Sequence, residues 1–394
     1  MTIKIIPGSL FGTIPAIPSK SHAQRVLIAS ALSKNRTIIR QDLNNCSNDI
    51  RSAINALNSI GARITLDKDI VTVDPINFES DSTPVINCGE SGAVARFLLP
   101  VAAAIFKCGT ISGVGNLMNR PFEPLCEAME RNGCRFISKK LPISFEGKMQ
   151  PGIYKIKGNE SSQYISGLIF ALPLIHDCSE IVLTTGLESS GYVDMTIDVL
   201  DKFNVKVERF ANVICLQSQK YVSPNGLTIE GDWSNSAYWL AAGVNVTGLN
   251  KNSFQKDSLF QSIKDLTEID AAETPDLVPI LSVYAAAKHG ATRIYNTHRL
   301  VFKESDRIKS IRQMLTSLGA DVKTSTNDII INGKEKLRGG IAESNGDHRI
   351  AMSAAIAACF CEEEVIIKNA EAVCKSYPGF FKDYNSLGGN AFVI

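Results

Sequence analysis

The chain has 394 residues, 44% of them hydrophobic and 21% charged, with 41 Lys and Arg against 40 Asp and Glu. That length suits one large or, more readily, two to three ordinary domains with separate cores. A net charge of +1 argues against a globally basic nucleic-acid binder or a partner of acidic membranes, so any cationic site must be local.

Ten cysteines are present, but only Cys359 and Cys361 lie close together and no C-x-x-C pair occurs. The thiols therefore read as small buried hydrophobes in a reducing compartment rather than as zinc or redox ligands. The start, Met1 to Gly8, lacks a signal-peptide core, and the longest apolar run, Phe97 to Phe106, is too short for a bilayer and carries Pro100. A cytoplasmic protein with a core helix at that run is expected.

In chain order, small polar clusters repeatedly lead into apolar helical runs. They are Ser19-Lys20-Ser21 with Arg25, then Gly89-Glu90-Ser91-Gly92 before Arg96, Ser161-Ser162-Gln163, and Gly231-Asp232-Trp233-Ser234. Thr274-Pro275-Asp276 and Asn345-Gly346-Asp347-His348-Arg349 complete the series. A second signature alternates with the first: an amphipathic helix closes on Gly61, Gly133, Asn204, Gly319 or Gly388 and turns into an alternating strand, as a left-handed helix C-cap requires. Positions 61, 133 and 204 differ by 72 and 71, and 319 and 388 by 69. A period near 70 marks a repeated supersecondary unit.

The pattern predicts an α/β fold of six βαβαββ-like units, with the one between about 231 and 273 shortened. Two domains of three units are expected: 19–230, and 1–18 plus 231–394, with crossings near 15–20 and 227–232. Lys20 and Glu304 would then come from opposite domains, placing the site in the interdomain cleft, to be assembled by closure.

Lys303-Glu304-Ser305-Asp306-Arg307 is the densest charged segment, set where a helix begins. Free N–H groups, the helix dipole and two cations suit a multiply charged anion, and Glu304 is out of place among them unless it handles a proton. The bland alternative is a solvated, salt-bridged helix start. Similar alternatives attach to the other members: a surface charge for Lys20 or Arg25, a cap pair for Ser161 and Ser162, a loop residue for Arg120, an N-cap for Asp276, a backbone tie for His348. Recurrence of cations, hydroxyls and Gly at successive helix starts favours a site for two anionic substrates. No P-loop, H-E-x-x-H or G-x-S-x-G motif competes.

Together, Ser19-Lys20-Ser21 with Arg25, Asn119-Arg120-Pro121, Ser161-Ser162-Gln163, Glu230-Gly231-Asp232, Pro275-Asp276, Lys303 to Arg307, Asp347-His348-Arg349 and Lys375 before Tyr377-Pro378 resemble the 5-enolpyruvylshikimate-3-phosphate synthase family over nearly the whole chain. The resemblance implies two domains of three βαβαββ units. It also implies transfer of the carboxyvinyl group of phosphoenolpyruvate to the 5-hydroxyl of shikimate 3-phosphate through a tetrahedral adduct, without metal or organic cofactor. By the same resemblance Ser21 and Arg25 would hold the shikimate carboxylate. Ser161, Ser162, Ser189 and Lys303 would hold its 3-phosphate, with Gln163 and Tyr192 along the ring and Lys20 and Asp276 also in contact with this substrate. Lys20, Gly92, Arg120 and Gln163 would take the phosphate of phosphoenolpyruvate, and Arg307, Arg349 and Lys375 its carboxylate. Asp276 would accept the 5-hydroxyl proton, Glu304 would protonate the methylene carbon, and Lys20 would assist near the leaving phosphate.

Gly89-Glu90-Ser91-Gly92-Ala93 departs from the Gly-Asn-(Ala/Ser)-Gly-Thr common in that family and sets an acid beside the expected phosphate site. The rival with the same fold and donor, UDP-N-acetylglucosamine enolpyruvyl transferase, carries a loop Cys five residues before an Arg-Pro. Here position 115 is Gly and Cys108 lies too early. A non-catalytic anion- or nucleic-acid-binding repeat protein would need a basic stripe with exposed aromatics, against the net charge. A monomer is expected, because the site needs no second chain.

Overall fold

The structure is a computed structural model that describes residues 1–78, 82–224 and 226–394. Two compact units emerge, Lys20–Ile229 and Met1–Ser19 with Glu230–Ile394, and each encloses its own apolar core. The chain opens with β1 (Ile3–Ile6) and β2 (Thr13–Pro15), which both belong to the second of these.

Within Lys20–Ile229 the elements are α1 (Lys20–Leu32), β3 (Thr37–Arg40), α2 (Asn48–Ser59), β4 (Arg63–Asp67) and β5 (Ile70–Asp74), then β6 (Val85–Asn87), α3 (Gly92–Ile105), β7 (Cys108–Ser112), α4 (Glu123–Glu130), β8 (Arg135–Phe136) and β9 (Ile143–Glu146). A third set follows: β10 (Ile153–Ile156), α5 (Ser162–Ala171), β11 (Ser179–Leu183), α6 (Ser190–Lys202), β12 (Glu208–Phe210) and β13 (Val213–Leu216). The sheets run β6-β7-β9-β8 and β10-β11-β13-β12, each with one parallel pair followed by antiparallel ones. The first repeat keeps only β3-β5-β4. Beside β3, where a leading strand would lie, Leu227 makes an isolated parallel bridge to Ile39.

The second unit continues with α7 (Trp233–Ala241), β14 (Asn245–Thr247), α8 (Phe260–Ile263), β15 (Glu268–Asp270), α9 (Val278–Ala286), β16 (Gly290–Tyr295), α10 (Arg307–Ser317), β17 (Asp321–Thr324) and β18 (Asp328–Gly333). It ends with β19 (Gly340–Glu343), α11 (His348–Ala357), β20 (Val365–Lys368), α12 (Phe380–Ser386) and β21 (Asn390–Val393). Its sheets are β15-β16-β18-β17 and β19-β20-β1-β21, so the chain's first strand supplies the place that the last repeat leaves open. The fourth repeat is indeed reduced, to α7, α8 and the two-stranded pair β14-β2.

Physical reasons for these elements lie in the residues. Gly61, Gly133, Asn204, Gly319 and Gly388 all have positive φ, between 60° and 102°, and so end the second helices as left-handed caps. First helices such as α3, α9 and α11 are buried on nearly every face, which is why they read as continuous apolar runs, while α2 and α10 bury one stripe. Pro100 does not interrupt α3. Lacking an N–H, it leaves the Arg96 carbonyl without its helical donor, and Gly167 of α5 packs onto that oxygen so closely that a Cβ there would come within 2.3 Å. Among the described residues no helix is long and apolar enough to cross a membrane.

Candidate active site

In Lys20–Ile229 the sequence-selected residues fall into two linked groups. Lys20 opens α1 and its Nζ donates to Asp49 Oδ2 at 2.9 Å, in the first turn of α2. Arg25, one turn on, is buried. Its Nε donates to Thr196 Oγ1 (2.8 Å), Nη1 to the Ser21 carbonyl (2.8 Å) and Nη2 to the Tyr192 carbonyl (3.0 Å). The guanidinium also lies 5.0 Å from the Phe97 ring centroid and 5.7 Å from that of Tyr192. Burial lowers its pKa to about 10. One side chain thus ties Ser21 to Tyr192 and α1 to α6.

Arg96 organises the other group. Its Nη1 donates to Gln163 Oε1 (2.8 Å) and Nη2 to the Pro121 carbonyl (2.9 Å), with the Phe122 and Tyr164 rings at 5.3 and 5.1 Å. Gly92, Arg120 and Gln163 are brought together in this way. The Arg120 guanidinium lies over Gly92, where a Cβ would stand 2.3 Å from Nη1, so only glycine leaves it room at the start of α3. Ser161 caps α5, accepting from the Gln163 N–H at 3.3 Å, with Ser162 the first helical residue. Ser189 sits buried with φ 54° immediately before α6. The Glu90 carboxyl, expected beside the phosphate contact, packs over Gly115, where a Cβ would be 2.2 Å from Oε1.

The second unit holds a denser cluster. Arg307, the first residue of α10, is 1% exposed and meets three carboxylates. Its Nη1 is 2.7 Å from Asp276 Oδ1, Nη2 is 2.7 Å from Glu304 Oε2, and Nε is 2.8 Å from Asp347 Oδ2. Lys303 Nζ lies 3.2 Å from Asp276 Oδ1 and Arg349 Nη2 3.4 Å from Asp276 Oδ2. Among the described residues, no hydrogen-bond partner reaches the buried Nε and Nη1 of Arg349. Lys375 ends the short 3-10 helix Ala370–Lys375 and is buried, as is His348 at the start of α11.

Asp276 does not cap α9, which begins after Leu277. It faces cations instead. Burial pulls its pKa up, but the charges of Lys303, Arg349 and Arg307 outweigh burial and hold the carboxyl well below its ordinary range. Lys303 is lowered, burial outweighing the attraction of Asp276. Burial opposes protonated Arg307, yet Asp347, Glu304 and Asp276 raise it well above the usual value. Asp306 caps α10, accepting from the Lys309 N–H at 3.2 Å, and Ser305 Oγ donates to Asp347 Oδ2 at 3.2 Å.

Two carboxylates carry more of this geometry than sequence reasoning assigned them. Asp49 had no signal beyond its place after the cap residue Ser47. Asp347 was visible as a residue before His348 and Arg349, and it caps α11 through the Arg349 N–H (2.9 Å) while holding Arg307.

Comparison with known proteins first defines the class. The fold matches an EPSP synthase from Acinetobacter baumannii with a TM-score of 0.80 and 22% identity, over 100% of both chains. It also matches the enolpyruvyl transferase NikO from Streptomyces tendae at 0.79 and 15%, over 99% of this chain and 98% of that one. The fold is therefore that of the enolpyruvyl transferases. Residues 5–258 and 245–384 match the profile of EPSP synthase (3-phosphoshikimate 1-carboxyvinyltransferase), and the chain belongs to that family. Curated relatives named 3-phosphoshikimate 1-carboxyvinyltransferase include those of Clostridium novyi (39% identical, covering 98% of this chain and 97% of the relative) and Clostridium perfringens (38%, 98% of both). Another is that of Clostridioides difficile (36%, 98% of both).

Proposed function

We propose that the protein transfers the carboxyvinyl group of phosphoenolpyruvate to the 5-hydroxyl of shikimate 3-phosphate, releasing phosphate. The observation that carries this reading is the Asp276–Arg307–Glu304 cluster with Lys303 and Arg349, because it holds a base, a proton donor and cations for two anions within one set of ion pairs. Family membership and full-length relatives supply the substrates.

In this reading the 5-hydroxyl oxygen bonds to C2 of phosphoenolpyruvate, its proton going to Asp276, while Glu304 delivers a proton to C3. A methyl-bearing tetrahedral adduct results. Phosphate then leaves with its bonding pair and takes up a proton with the help of Lys20. Glu304 takes a proton back from the methyl group, the C=CH2 bond is restored, and Asp276 releases the hydroxyl proton to solvent, so that the protons balance. No metal or organic cofactor enters the scheme. Lys20, Gly92, Arg120 and Gln163 would hold the leaving phosphate, and Arg307, Arg349 and Lys375 the carboxylate of the same substrate. Ser161, Ser162, Ser189 and Lys303 would take the 3-phosphate, Ser21 and Arg25 the shikimate carboxylate, with Gln163 and Tyr192 along the ring.

Internal carboxylates occupy the cations that substrates would need. Asp276 is a weak base while Lys303, Arg307 and Arg349 face it. Substrate anions drawing those charges away would leave burial as the dominant influence, raising the Asp276 pKa toward a value useful for accepting a proton. With every assigned contact on one chain, the protein is read as a cytoplasmic monomer. Purified protein should release phosphate only when shikimate 3-phosphate and phosphoenolpyruvate are both present. Release with UDP-N-acetylglucosamine in place of shikimate 3-phosphate would move the chain to the rival transferase, and no release with either acceptor would refute an enolpyruvyl transfer.

A further inference from the structure

Asp276 and Lys303 sit on the loops that follow β15 and β16. These strands are parallel neighbours, with Asp270 paired to Tyr295 at their ends, so both loops leave from the same edge of the sheet. Short contacts staple them where they begin. The Ala271 N–H donates to the Tyr295 carbonyl at 2.9 Å. Asp270 Oδ1 accepts from the Ala272 N–H and from Asn296 Nδ2, each at 2.9 Å, with Asn296 in the left-handed region at φ 58°. Arg299 Nη2 then donates to the Ala272 carbonyl at 2.5 Å. Ala272 is therefore held through both polar groups of its backbone, the N–H by Asp270 and the C=O by Arg299.

Beyond Ala272 the loop has little freedom. Only Glu273 separates it from a turn closed by the Leu277 N–H on the Thr274 carbonyl at 3.0 Å. Pro275 takes the second position of that turn, where its fixed φ is favoured, and Asp276 the third. On the other loop Arg299 lies in the short 3-10 helix His298–Phe302, which Lys303 terminates. Arg299 is buried, and Lys303 Nζ meets Asp276 Oδ1 at 3.2 Å. The two loops are thus joined at their base by Arg299 and at their tips by Lys303.

We propose that Arg299 is a positioning residue for Asp276: by holding the Ala272 carbonyl it fixes the entry to the turn that delivers the carboxylate and keeps it in register with Lys303. This role rests on the reading of Asp276 as the proton acceptor. A different influence is conceivable through charge alone, since the Lys303 pKa is lowered by burial above all, with the charges of Arg307 and Arg299 adding to it. An effect of that kind would act on the binding of the 3-phosphate rather than on proton transfer.

The test compares kcat and KM, read as phosphate release, for wild type, Arg299→Met, Asp276→Asn and the double variant. Arg299→Met should lower kcat about tenfold with both KM values within about twofold of wild type, and lower the residual turnover of Asp276→Asn less than about twofold further. Arg299→Lys, which keeps a donor at shorter reach, should recover kcat to within about threefold of wild type. Equal losses in both backgrounds, or an unchanged kcat in Arg299→Met, overturn the positioning role and leave the function standing. A rise confined to the KM for shikimate 3-phosphate overturns it as well, in favour of the charge effect on Lys303. No turnover by wild type, or full turnover in Asp276→Asn, overturns the reading of Asp276 and this proposal with it. Where Asp276→Asn is too slow to read, the split between kcat and KM and the recovery in Arg299→Lys decide. Should Arg299→Met not fold, Arg299→Lys carries the test, with a loss of about threefold in kcat confined to the background that keeps Asp276.

Discussion

Gly92 and Arg120 compete for one volume, and that is the clearest constraint on any single residue of the site. Gly92→Ala sets a methyl group 2.3 Å from Arg120 Nη1, closer than any real contact, so the guanidinium must swing away. The KM for phosphoenolpyruvate should rise by about tenfold or more with little change in melting temperature, since the displaced group is a flexible side chain rather than backbone. An unchanged KM would remove Gly92 and Arg120 from the phosphate contact. Cationic residues of the candidate site were legible because Lys20, Arg25, Lys303, Arg307 and Arg349 stand at or within two turns of helix starts. Their counter-ions were less so. Asp49 reaches Lys20 from 29 residues away and Asp347 reaches Arg307 from 40 away, and nothing in local spacing announces a pairing made by tertiary packing.

At the scale of the element, α1 combines substrate-assigned and structural residues in two turns. His22, between Ser21 and Arg25 in sequence, is buried, and its pKa falls from 6.5 to about 3 through burial and then the charges of Lys202 and Arg25. The folded state holds this imidazole neutral. Its contribution to stability is therefore complete above pH 6.5 and is lost as pH falls toward 3, because in that window the unfolded chain takes up a proton that the folded chain refuses. The slope from this one group approaches about 1.4 kcal/mol per pH unit. Denaturant melts between pH 7 and 5 should show a steeper loss for wild type than for His22→Gln, and parallel curves would contradict the assignment. Elements with strong local chemistry, such as the left-handed Gly and Asn caps, could be read from the chain. The N-cap reading of Asp276 could not survive, since the cations around it come from α10 and α11, far along the sequence.

For the whole molecule, the period near 70 residues carried the repeat architecture, and the shortened fourth unit was visible as a missing marker. Hidden from the sequence were the borrowed strands. β1 pairs Ile3 with Ile367 and Val393, and Leu227 bridges back to Ile39, so the first and last repeats are completed by segments remote in the chain. A short strand of IKII carries no mark of its partner, which is chosen by an open sheet edge.

The addition–elimination chemistry proposed for this protein has a direct isotopic consequence. With shikimate 3-phosphate and phosphoenolpyruvate in D2O, a methyl intermediate formed by protonation at C3 must scramble solvent deuterium into the vinyl CH2 of the product, read by NMR or mass spectrometry. Glu304→Gln should still bind both substrates but slow product formation and deuterium entry by about 10²–10⁴-fold. Product formed with an undeuterated vinyl group, or full incorporation at wild-type rate in Glu304→Gln, would contradict the tetrahedral route and the place of Glu304 in it.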